Sequence, residues 1–171
     1  GVRITVSTSW FVPKPHTAFQ WEPQATLEQI LEKQQFLRQA MRIKGVDFNW
    51  HEPYTSFMEA AFSRGDRHLC KVLLRAWQRG CKFDGWSEFF HYDAWLAAFA
   101  DCGIDPADYA CRRIDVDAPL PWDHINHGVS KAFLRDEYEK ALRGETTGDC
   151  RGGCKACGVQ KLCKGVCPTC A

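Results

Sequence analysis

The sequence predicts a helix-rich α/β fold: a β-α-β piece at the start, a helical segment after it, and a cysteine-rich metal-binding tail. Three observations lead there. The opening "VRITVSTSW" sets Val2, Ile4 and Val6 against Arg3, Thr5 and Ser7, the period of two that a strand requires. "VDFNWH" repeats it, with Val46, Phe48 and Trp50 alternating against Asp47, Asn49 and His51. A helical pattern lies between them, and six of the ten cysteines crowd into Asp149–Ala171.

Each element has a local cause. Thr26 with Gln29 forms a capping box for a helix through about Lys44, with Leu27, Ile30, Leu31, Leu37 and Met41 on one face and Gly45 as its stop. Two strands around one helix make a crossover, usually parallel. Helical stretches follow near 55–63 and 66–78, parted at Gly65, with Asp66 as N-cap and Leu69, Val72, Leu73 and Trp77 as an apolar stripe. A helix near 92–101 stops at Gly103, a short one starts at Pro106, and the aromatics here read mostly as core. Ser130 caps a last helix whose inward face is Phe133, Leu134, Tyr138, Ala141 and Leu142. These boundaries divide the chain into 1–52, 53–148 and 149–171. A strand beginning at residue 2 needs neighbours, so the sequence reads as a fragment of something longer.

Composition narrows the function classes. The 171 residues carry 22 Lys and Arg against 21 Asp and Glu, a net charge of +1, so overall charge alone gives no footprint for nucleic acid. No apolar stretch approaches the roughly 20 residues of a membrane span, and no signal-peptide pattern opens the chain, which predicts a cytoplasmic protein without membrane contact. His91, Cys102 and Cys111 lack metal-site spacing and are assigned no site. Asp123 and His124 read as part of a rigid turn between Pro121 and Gly128.

The segments "STSWFVPKPHTAFQW", "KGVDFNWHEPYTSFMEAAFSRGDR", "AWQRGCKFDGWSE", "PLPWDHINHGVSKAFLRDEYEKALRGE" and "DCRGGCKACGV", in this order, resemble the C-terminal half of a family of radical SAM proteins. Members of that family carry an upstream cobalamin-binding-like domain. The resemblance implies a partial (β/α) radical SAM barrel that binds a four-iron cluster and S-adenosylmethionine. Residues 1–52 would then be the terminal β-α-β piece of that barrel, and the upstream radical SAM and cobalamin-binding-like domains of the same gene product its partners. The loop "FVPKPHTAFQW" would leave the carboxyl end of the first strand, making Lys14, His16 and Thr17 candidates for a cofactor or substrate pocket. The substrate would be a small molecule or RNA. The family's cluster-binding CxxxCxxC is expected upstream of Gly1, so this chain is not expected to be catalytically complete.

The tail spells CxxxCxxC twice, as Cys150, Cys154, Cys157 and as Cys163, Cys167, Cys170. Neither copy has an aromatic before its last cysteine, where Ala156 and Thr169 stand, or leads into a barrel strand. "CKACG" and "CPTCA" are instead two CxxC knuckles, in which both thiolates reach one ion at about 2.3 Å. One ligand set is Cys154, Cys157, Cys167 and Cys170. The other follows the family's tail pattern and is Cys150, Cys154, Cys157 and Cys163, the last replacing a cysteine where Gln160 stands. Either set could hold zinc or an iron–sulfur cluster. A reducing compartment disfavours disulfides. An alternative is a stand-alone helical binding module whose zinc knuckle docks protein or RNA.

Overall fold

The computed structural model describes residues 1–162, a helix-rich α/β chain with seven α-helices and a two-stranded parallel sheet among them. The expected Cys163, Cys167 and Cys170 lie outside the described residues. Two compact units form among the described residues, one from 1–13 with 23–113 and the other from 14–22 with 114–162. The segment 14–22 groups with the C-terminal part of the chain.

In the first unit, β1 (Ile4–Thr8) and β2 (Val46–Trp50) pair in parallel, Ile4 opposite Val46 and Thr8 opposite Trp50. The crossover helix α1 (Leu27–Ala40) starts at the Thr26–Gln29 capping box and ends at the Met41 C-cap, short of Lys44. Gly45 then makes the return: its φ is +87°, its carbonyl accepts the Ile4 N–H at 2.9 Å, and a Cβ there would lie 3.4 Å from the Val2 carbonyl.

The core of this unit lies among α2 (Pro53–Ser63), α3 (Leu69–Gln78), α4 (Tyr92–Asp101) and the short α5 (Ala107–Ala110), where Phe57, Met58, Val72, Trp95 and Phe99 are buried. Arg64, only 1% exposed, donates from Nη1 to the Tyr109 and Ala110 carbonyls at 2.6 and 2.9 Å and from Nη2 to the Arg112 carbonyl at 2.6 Å. It thus satisfies carbonyls that a helix terminus leaves without intrahelical donors.

Three expectations are corrected here. Asp66 does not cap α3 directly; its carboxylate takes the His68 N–H at 2.8 Å and the helix begins at Leu69. The buried stripe of α3 is Leu69, Val72 and Ala76, at the i, i+3, i+7 spacing of one helix face, so Leu73 and Trp77 face out. Phe83, Trp86 and Phe89 are exposed too, rather than core.

The second unit packs Trp21, Leu120, Trp122, Leu134 and Tyr138 together. The Ser130 hydroxyl caps α6 (Lys131–Leu142) by accepting the Phe133 N–H, and Leu142, expected inward, is exposed at the helix end. The segment 14–22 belongs to this unit through Trp21, whose carbonyl accepts the Ile114 N–H, and Gln20, whose Oε1 accepts Trp122 Nε1 at 2.7 Å. A 3-10 turn (Cys150–Gly152) and α7 (Val159–Leu162) complete it.

Candidate functional site

The carboxyl ends of β1 and β2 form an open cleft of about 330 Å³ lined by Ser7, Thr8, Ser9, Asn49, Trp50 and His51. Parallel strands put their side chains and free backbone groups at this end, the usual ligand position in α/β sheets. Trp10 Nε1 donates to the His51 carbonyl at 2.8 Å and the His51 N–H to the Thr8 carbonyl at 3.1 Å, which fixes the rim. The Thr8 hydroxyl is buried and finds no hydrogen-bond partner among the described residues.

The structure separates the three loop candidates. His16 lines a cleft of about 240 Å³ in the second unit, with Gln20, Asp123, Asn126, His127 and Lys131. Lys14 and Thr17 are not among its lining residues; the Thr17 hydroxyl closes a turn onto the Lys14 carbonyl at 2.8 Å. His16 adopts φ +59°, which presents its ring to His127 with centroids 3.9 Å apart. Burial and then His127 hold the His16 imidazole below its ordinary value, with Asp123 opposing, and its Nε2 is buried without a hydrogen-bond partner among the described residues. Burial would raise the Asp123 carboxyl, but the Leu120 N–H and the Lys131 ammonium, each on its Oδ2, hold it below the usual range. A neutral imidazole beside a fixed Lys–Asp pair can exchange a hydrogen bond with a small polar ligand. The turn expected at Asp123 is present, and His124 is exposed outside this cleft.

The third feature is the knuckle Cys154–Gly158. The Ala156 N–H donates to Cys154 Sγ at 3.3 Å, Ala156 has φ +55° and Gly158 φ +106°. That contact and the two left-handed residues turn the chain back within one CxxC spacing. The knuckle is seated on the first turn of α6: Ser130 N–H donates to the Cys157 carbonyl at 2.8 Å. A Cβ on Gly158 would come within 2.9 Å of the Gly128 carbonyl oxygen, so only glycine lets the two segments approach.

Cys157 carries a free thiol, while Cys154 is disulfide-bonded, a departure from the expectation that set disulfides aside. Among the described residues no group of three or more His, Cys, Asp or Glu is arranged to hold a metal ion. No protein-family model, curated protein or solved structure matches the chain. No helix of the described residues is long and apolar enough to cross a membrane.

Ser7, Thr8, Asn49 and His51 were missed by residue-type reasoning, although their place just where two parallel strands end was a usable signal. His127 carried no such signal, since its partner His16 is distant in sequence.

Proposed function

We propose that the chain is the C-terminal portion of a radical SAM iron–sulfur enzyme whose tail holds a zinc ion or an iron–sulfur cluster on cysteine thiolates. The observation that carries this reading is the unfinished parallel sheet. Two strands alone are marginal in water, and Ile4 and Trp50 stand exposed on them, with Val2 exposed just before β1, as terminal strands of a larger barrel would before their neighbours are added. The upstream radical SAM and cobalamin-binding-like domains would supply those neighbours.

The strand-end cleft contains no cysteine and so does not suit the four-iron cluster itself; its hydroxyl, amide and imidazole groups suit the polar parts of S-adenosylmethionine or substrate. When bound upstream, the cluster would supply the electron that cleaves S-adenosylmethionine to a 5'-deoxyadenosyl radical. The residues of this chain would orient the polar ligand: Thr8 by its unpartnered hydroxyl, Ser7 and Asn49 from the two strand ends. In the tail, the N–H···S contact and the glycine seat favour Cys154 and Cys157 as paired ligands once Cys154 is reduced, as a cytoplasmic setting would keep it.

The test is anaerobic incubation of the longer gene product, including its upstream CxxxCxxC segment, with S-adenosylmethionine and dithionite. Formation of 5'-deoxyadenosine that is lost when the upstream cysteines become alanine is the expected result. A gene product without that segment, or one that forms no 5'-deoxyadenosine, contradicts the reading.

A further inference from the structure

The α3 face and the loop after it form a surface that neither the strand-end cleft nor the tail uses. From Arg67 to Phe83 the sequence contains Arg67, Lys71, Arg75, Arg79 and Lys82 and no carboxylate. Lys71, Arg75 and Arg79 recur at intervals of four, so they share one flank of α3, while Leu73, Leu74 and Trp77 occupy the adjoining exposed flank. Arg75 and Arg79 both donate to the single Asp101 Oδ2, at 2.8 and 2.6 Å, which leaves the group with excess positive charge. Lys82 Nζ sits 5.9 Å from the Trp77 ring centroid.

The loop is built to display rings. Asp84 accepts Trp95 Nε1 at 3.0 Å and so ties the loop to α4, and successive turns run from the Phe83 carbonyl to the Trp86 N–H and from the Trp86 carbonyl to the Phe89 N–H. Phe83 is held at φ +60°, an unusual conformation for a bulky residue, with its ring 72% exposed. Trp77 and Trp86 are 59% and 65% exposed, and the Phe83 and Phe89 centroids are 6.0 Å apart. Exposed rings gathered on a pinned loop mark an interaction surface.

We infer that this surface binds a single-stranded polynucleotide, its bases stacking on Trp77, Phe83 and Trp86 and its phosphates meeting the Lys71, Arg75, Arg79 and Lys82 cations. Charge complementarity selects this occupant. The five cations from Arg67 to Lys82 outnumber the carboxylates Asp84, Glu88 and Asp101, and Lys82 beside the Trp77 ring sets a phosphate-binding charge next to a stacking face, which a continuous apolar segment would not use. The inference goes beyond the radical SAM reading and does not depend on it.

Fluorescence anisotropy with a fluorescein-labelled oligouridylate RNA, titrated with the whole chain at low and moderate salt, tests it. Binding is expected to weaken with salt, with each cation removed (Lys71→Ala, Lys82→Ala) lowering the log–log slope by about 0.7. Trp86→Ala and Phe83→Ala should weaken binding roughly 5- to 100-fold. Trp86→Leu keeps apolar bulk without a stacking face and should fall with Trp86→Ala. Both positions are exposed, and circular dichroism of each variant confirms its fold. The inference is overturned by no binding at low salt, by Trp86→Leu binding as the parent does, by equal affinity for blunt duplex RNA, by partition onto anionic vesicles without RNA binding, or by a dimer that buries Trp86.

Discussion

The imidazole rings of His16 and His127 meet with centroids 3.9 Å apart, joining a loop that follows the first strand to the turn before α6. Burial and then the nearby His127 disfavour protonation of His16, whose Nε2 is shut from solvent. Asp123 and Lys131 are the charged groups that face them, and they largely answer each other.

This pair makes stability pH-dependent. Folded His16 binds a proton less readily than the unfolded chain, whose value is near 6.5, chiefly because it is buried. Its contribution is complete above that pH and declines as pH falls through 6.5 toward the lower folded-state value. His16→Asn removes the titration and tolerates the left-handed φ. Urea midpoints at pH 7.5 and 5.5 should differ less for this variant than for the parent; an equal or larger difference contradicts the assignment.

Arg64 stabilises by reaching three carbonyls from a buried position. Arg64→Ala leaves those acceptors unanswered and should cost about 3 kcal/mol in chemical denaturation. Arg64→Lys, a point charge without the planar fork, should recover only part of it.

Gly158→Ala forces a Cβ against the Gly128 carbonyl at a φ that disfavours any side chain. We expect a loss of about 1–2 kcal/mol from the backbone alone, and at least roughly tenfold weaker metal binding because the knuckle loses its seat. Gly152→Ala meets no neighbouring atom and should leave metal affinity unchanged. Competition with a chromophoric chelator measures both.

Thr8→Val is isosteric and removes a buried hydroxyl without a partner. Thermal denaturation should show the variant equal to or up to about 1 kcal/mol more stable than the parent. If the hydroxyl serves a ligand, the longer gene product carrying Thr8→Val should lose turnover all the same; unchanged turnover contradicts a ligand role.

Local signals in the sequence were read correctly where a few neighbouring residues decide the outcome. The Thr26–Gln29 box and the Ser130 cap each act within one turn and stand where they were expected, whereas Gly45, expected to end the helix, instead turns the chain into β2 after a helix that has already ended at Met41. What sequence could not reveal depended on distant pairings. Periodicity groups Leu69, Val72, Leu73 and Trp77, but the core admits only one arc of α3, which falls on Leu69, Val72 and Ala76. His16 was legible as a candidate and lines a cleft, whereas in the same loop the Thr17 hydroxyl closes a turn onto the Lys14 carbonyl. Spacing alone likewise marked Cys154 and Cys157 as a knuckle, while its seat on Gly128 and Ser130 needed the folded chain.

Metal content of the whole chain, purified anaerobically under reducing conditions, tests the thiolate centre most directly. One bound zinc, or iron with matching sulfide and a visible charge-transfer band, is predicted, lost in the Cys154→Ser, Cys157→Ser double variant and kept in Cys70→Ser, whose thiol lies exposed on α3. A reduced chain that binds no metal, or a double variant that keeps it, would contradict the centre.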